Sequence, residues 1–190
     1  MRKKGLMAVS IALLFWLFQA ASLGARGTVD SVTFKLYIPV VQELYISTNY
    51  PSSVVQVGRE DEKRAYSSIV LEAPETDLGQ RDLRLPKAIQ LHILSNVNWR
   101  VMASIRSLEV IPTDTGPLPI EVMIRASDLP PGVTGAGTFV HLPVNTSIEI
   151  ARGEPLRKSF TVDYLFRLTQ EKSQTPQSLT VDVTYTLIKL

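Results

Sequence analysis

The sequence contains no cysteine and only two histidines. The first absence excludes disulfides, thiol nucleophiles and thiolate metal sites, and with them the cysteine that a bacterial lipid anchor requires. The second leaves His92 and His141, which form no His-x-x-x-His pair, so a zinc site would have to gather distant carboxylates. A G-x-S-x-G elbow for a serine nucleophile is missing. The lone G-x-G, Gly135-Ala136-Gly137, sits among turn residues without the strand-to-helix setting of a phosphate loop. Aromatic residues make up only 7% of the chain. No stretch concentrates basic charge as a nucleic-acid face does. Apolar residues never recur with helical spacing over a long run. Internal repeats and low-complexity tracts are also lacking.

What is present begins with a distinctive start. Arg2, Lys3 and Lys4 precede an almost wholly apolar run from Met7 to Phe18, and small residues follow, Ala20, Ala21, Ser22, Gly24 and Ala25. Basic, apolar, small is the order of a secretory signal peptide. The apolar run is short of the ~20 residues of a membrane span. We therefore expect residues 1–24 to be a signal peptide, cleaved after Gly24 or Ser22, with no transmembrane segment in the mature protein. The chain's formal charge of +2 then falls away: removing three basic residues leaves 17 against 18 acidic ones. A near-neutral exported domain is expected in the periplasm or at the cell surface, and no nucleic-acid partner is expected.

The remaining ~165 residues are enough for one domain with a real core. Here apolar residues alternate with polar ones, and β-branched residues abound. The alternation predicts strands over 32–38, 43–47, 53–57, 67–73, 88–95, 99–105 with an extension to 111, 120–126, 139–142, 147–151, 159–169 and 179–189. Residues 59–64, R-E-D-E-K-R, mix both signs of charge without an apolar residue and read as a solvated hairpin tip or loop, with a loop that docks a protein partner as the sharper alternative. Residues 74–86, 113–119, 128–137 and 170–177 read as connections, being rich in Pro, Gly and polar residues. The strands at 88–95 and 99–105 are expected to form a central hairpin about Asn96-Val97-Asn98. The last two are expected to pair with each other. About eight to ten strands with such turns point to an all-β fold. We expect a single antiparallel Greek-key, immunoglobulin-like β-sandwich over residues 28–190. An outer-membrane barrel fits less well, because twelve prolines interrupt the chain and several strands are short.

Two segments resemble small secreted bacterial β-sandwich domains of the pilin-subunit and WxL surface-protein kind. They are L-H-I-L-S-N-V-N-W-R-V-M-A-S-I at 91–105, and T-P-Q-S-L-T-V-D-V-T-Y-T-L at 175–187, where a Pro-turn enters a final alternating strand. Arg100-Val101 follows Trp99 where the WxL pattern has x-Leu, and the cysteines of many pilins are absent. The resemblance implies a β-sandwich in a surface setting.

These readings lead to a non-enzymatic protein, without cofactor or metal, in cell-envelope structure or adhesion. Its fimbrial version is a homo-oligomer in which one subunit's N-terminal strand completes a neighbour's sheet. The donor face would be Val32, Phe34, Leu36 and Ile38. The other reading is a secreted module for a glycan or small molecule, using the loops 74–86, 113–119 and 128–137 if they cluster at one end. Trp99 is its candidate ligand aromatic, although a lone Trp opening a central strand is more often core. Asp114 and Asp128 are the loop carboxylates suited to calcium, but neither lies in a D-x-D-x-D-G run. Carboxylate pairs for glycoside hydrolysis depend on spatial spacing and stay open at this level. Asn145-Thr146-Ser147 matches an N-glycosylation pattern that has no meaning in a bacterium.

Overall fold

The computed structural model describes residues 37–72, 82–111, 120–168 and 178–190. The chain divides into a unit Met1–Ile38 and a unit Pro39–Leu190. The second unit carries the strands β1 (Gln42–Ser47), β2 (Val55–Arg59), β3 (Arg64–Glu72), β4 (Asp82–Ser95), β5 (Trp99–Ile111), β6 (Ile120–Ser127), β7 (Val133–Gly135), β8 (Val140–His141), β9 (Ile148–Gly153), β10 (Leu156–Leu168) and β11 (Ser178–Lys189). No helix occurs among the described residues, so none of them forms a helix long and apolar enough to cross a membrane.

Two sheets form, with order β1-β4-β10-β6-β8 in the first and β2-β3-β11-β5-β9-β7 in the second. Every pairing between named strands is antiparallel. The alternation dictates the packing. In β11, Leu179, Val181, Val183, Tyr185 and Leu187 point inward and are buried, while Thr180, Asp182, Thr184 and Thr186 lie on the outer face. In β10, Phe160, Val162, Tyr164 and Phe166 do the same from the other layer. They join one core with Leu44, Ile69, Leu91, Trp99, Ile105 and Ile124. Each large side chain so buried contributes roughly 1.5–3 kcal/mol, which explains how the fold dispenses with disulfides. Within this core the hydroxyls of Tyr164 and Tyr185 meet across the two sheets, with Ser67 Oγ 3.3 Å and 3.4 Å from them. Burial raises the Tyr164 phenol far above its usual value, so it stays protonated as a hydrogen-bond partner.

The predicted strands from 43 to 189 are found, with shifted ends and one addition, β7, inside the expected loop 128–137. Of the expected strand 32–38, residues up to 36 lie outside the described residues, and Tyr37 and Ile38 are not in strand. Residues 82–86, expected as part of a connection, instead begin β4.

Two expected pairings are corrected. Strands β4 and β5 do not form a hairpin, and β10 and β11 do not pair; each couple is divided between the sheets. An alternating pattern says which side chains face the core. It does not say which strand supplies the backbone partners, because two strands facing the same core from opposite layers show the same pattern. At Asn96 the chain crosses between layers. The side chain of Asn96 accepts from the Val41 N–H at 2.9 Å and donates to the Pro39 carbonyl at 2.7 Å, fixing the entry to β1.

Candidate functional site

Strands β2 and β3 form the expected hairpin, and its tip does more than meet solvent. The Glu62 carbonyl accepts from the Leu44 N–H of β1, and the Lys63 carbonyl from the Leu187 N–H of β11, both at 2.8 Å. The tip thus bridges the two sheets. The Arg64 carbonyl accepts from the N–H groups of Glu60 and Asp61 at 2.9 and 3.3 Å, which fixes the backbone that carries Glu60 and Arg64.

Beside this tip, on the outer face of the second sheet, lies an open depression of about 470 Å³ lined by Glu60, Arg64, Ser104, Ile105, Arg106, Asn145 and Thr184. Register explains why these residues meet. Thr184 of β11 stands directly between Ser104 of β5 and Tyr66 of β3. Ile105 and Ser107 pair with the consecutive residues Val183 and Asp182, so Arg106 is the extra residue of a β-bulge. A bulge re-aims a side chain. Here the guanidinium of Arg106 reaches Glu60 Oε1 at 3.2 Å. Asn145 arrives from the loop after β8: its N–H donates to the Ile105 carbonyl at 3.0 Å, and its φ of 57° is a left-handed conformation that Asn tolerates. The Arg64 guanidinium makes no ion pair among the described residues. Next along β11, Asp182 accepts from Ser107 Oγ at 2.5 Å. Tyr66 lies outside this lining but on the same face as Arg64. It is 39% exposed, and its ring covers Gly58, its cross-strand partner.

A second polar cluster occupies the outer face of the first sheet. Strand β4 bulges at 86–88, where three residues oppose the single residue Asp163 of β10. Pro86 has no N–H to give to the ladder, and Lys87 adopts φ 50°. Asp163 fills the gap. It is only 3% exposed, and it accepts from the Lys87 N–H at 2.8 Å, Ser127 Oγ at 2.7 Å and Arg125 Nη2 at 2.5 Å. Burial works against its ionisation, but the Lys87, Arg125 and Ser127 donors outweigh burial and hold the carboxyl below its ordinary value. Arg125 also lies over the Phe139 ring, 4.8 Å from its centroid. Asp128 is occupied by Lys87 Nζ at 3.0 Å and Thr161 Oγ1 at 2.9 Å, which lower its pKa. The Asp163 carboxylate is held by donors of the cluster itself, which pins the bulge.

The residues singled out by sequence are not gathered into one site. Trp99 is fully buried and donates its indole N–H to the Glu154 carbonyl at 2.9 Å. It belongs to the core and presents no face to a ligand. Val32, Phe34 and Leu36 lie outside the described residues, as does Asp114; Ile38 is 67% exposed. The three expected ligand loops do not share an end. The strand ends flanking 73–81 and 112–119 come together through Glu72, Ser178 and Ile111. The segment after Ser127 runs the other way, where Lys158 Nζ donates to the Pro131 carbonyl at 2.7 Å. The depression was hidden in sequence because its residues come from four separate segments. Its only local signals were the mixed-charge tip and Asn145.

Comparison with protein-family models, with curated protein sequences and with solved structures finds no match for this chain.

Proposed function

We propose that this chain is an exported, non-catalytic protein of the bacterial cell envelope that works in adhesion, by holding a surface ligand on the outer face of its second sheet. The observation that carries this reading is the depression, in which a hairpin tip, a bulge, a loop and a strand bring polar side chains together on a stiff sheet. Rigid strands hold such groups better than loops do. Export rests on the basic, apolar, small order of residues 2–25, with residues 1–24 as the signal peptide.

The immunoglobulin-like part of the proposal is supported by strand order. With β1, β4, β10 and β6 read as A, B, E and D, and with β5 and β11 as C and F, the sheets follow the A-B-E-D and C-F arrangement. β3 then stands where strand G would be. This matters for the fimbrial version, because a neighbour's donor strand needs an open place beside a sheet. The chain's own β3 fills the place beside β11, and the outer strands of the two sheets are short, β1 and β8 of six and two residues and β2 and β7 of five and three, which discourages edge pairing. Ligand binding is therefore preferred, and assembly through residues 28–38 is the second reading, supported by the alternation of Val32, Phe34, Leu36 and Ile38.

The test is to recover the protein from a periplasmic extract and sequence its N-terminus, then pass it over immobilised envelope polysaccharide from its host and measure its size by light scattering. A start near residue 25, retention on the polysaccharide and a finite mass are expected. Cytoplasmic retention with an intact N-terminus would overturn export. Open-ended oligomers that vanish on deleting residues 25–38 would replace ligand binding with strand exchange.

A further inference from the structure

Resting on that reading, we infer that the depression beside the β2–β3 tip binds an acidic saccharide, with Arg64 as the anchor for its carboxylate or sulfate group. The argument is an inventory of donors and acceptors. Glu60, the one carboxylate of the lining, is engaged by Arg106 at 3.2 Å, and Asp182, next along β11, accepts from Ser107 at 2.5 Å. Left facing the space are the Arg64 guanidinium, the Ser104 and Thr184 hydroxyls and the Asn145 side-chain amide. Donors outnumber acceptors, and the lining carries two arginines against one glutamate. The missing partner is an acceptor-rich group with negative charge. A guanidinium fork matches the paired oxygens of such a group.

The form of the site selects a sugar over a compact apolar acid. Ile105 is the one apolar residue of the lining and its side chain is buried in the core, so a ligand with a hydrophobic body would gain little there. The space is open to solvent and falls in the size range of small-molecule sites. Tyr66 extends it. It lies two residues from Arg64 on the same outer face of β3, and its ring is held down over Gly58 on the next strand. Strands repeat about every 4.8 Å, so from Ser104 to the Tyr66 ring is roughly three strand spacings. A few linked sugar rings would cover this distance, with an acid group at Arg64 and a C–H face on Tyr66.

The test titrates the purified protein by NMR or calorimetry with three defined probes: hexagalacturonate (carboxylates), sulfated dextran oligosaccharide (sulfates) and maltohexaose (neutral). Binding of at least one acidic probe is expected, with the neutral one much weaker, and affinity should fall as salt is raised. Arg64→Gln should weaken the acidic complex about tenfold or more, the loss expected for a charged hydrogen-bonding group. Tyr66→Ala should weaken it too, and Arg157→Gln, on the outer face of the first sheet, should leave it unchanged. The carboxylate and sulfate arms identify the acid. Equal binding of maltohexaose, or an Arg64→Gln variant that binds acidic probes as well as the parent does, would overturn the inference while leaving a ligand-binding module standing. No binding of any of the three probes would overturn the inference, and retention on envelope polysaccharide in the preceding experiment would then decide the broader reading separately.

Discussion

Two glycines are fixed by the aromatic residue opposite them. Gly58 pairs with Tyr66 on the outside of the second sheet, and Gly153 pairs with Trp99 on the inside. In each case a Cβ on the glycine would collide with the partner's ring. The Trp99 ring cannot move aside, because it is fully buried and its N–H is tied to the Glu154 carbonyl. Gly153→Ala should therefore destabilise the fold by about 1–3 kcal/mol, the usual cost of overpacking, read as a lower midpoint in urea denaturation; a midpoint unchanged from the parent would refute the contact. The phase of the 99–105 strand already pointed Trp99 at the core. Gly153 gave no such sign, because its reason is a ring far away in the chain. Arg64 and Arg106 were equally opaque. In sequence one is an ordinary member of a mixed-charge tip, and only the bulge turns the other toward Glu60.

At the scale of elements, the bulge in β4 shows how a strand can pass through a proline. Pro86 read as the end of a connection, because a proline disrupts a ladder. The strand continues because Asp163 stands in for the lost ladder contacts, accepting from the Lys87 N–H while Arg125 balances its charge and the Ser127 hydroxyl donates to it. That compensation is spatial and has no local signature. It does have a pH signature. The Asp163 pKa is lowered in the folded protein, so its contribution to stability is complete above the unfolded carboxyl value, about 3.9. It is lost as pH falls through the lower folded value. Asp163→Asn should cost about 1–3 kcal/mol at neutral pH, and the gap between variant and parent should narrow as pH drops below about 4. A gap in unfolding free energy that stays constant from pH 7 to pH 3 would show that the carboxylate's charge does not hold the bulge.

At the scale of the whole fold, β2 and β3 are the only consecutive strands that pair among the described residues; every other step from one of these strands to the next changes sheet. Almost all pairing is therefore between distant segments. Such topologies fold in milliseconds to seconds, far slower than folds built from local contacts. In a protein starting at residue 25 Trp99 is the sole tryptophan, and its fluorescence in stopped-flow refolding should report that slow range. A phase complete within ~100 μs would contradict the layer assignment. This topology also marks the limit of the sequence reading. Alternation revealed the all-β class, most strand positions and their inward faces, since those depend on each residue's own polarity. Pairing partners depend on how the chain crosses between layers, and the expected pairings of β4 with β5 and of β10 with β11 failed there. One crossing has a mechanical consequence. Asn96 holds Val41, where the sandwich's first strand begins, and the Asn98 carbonyl accepts from the N–H of Leu190. β1 thus begins and β11 finishes at one corner. Tension applied through them would peel β1 from β4 one bond at a time instead of shearing the ladder as a block, so the domain should yield at low force from that corner first.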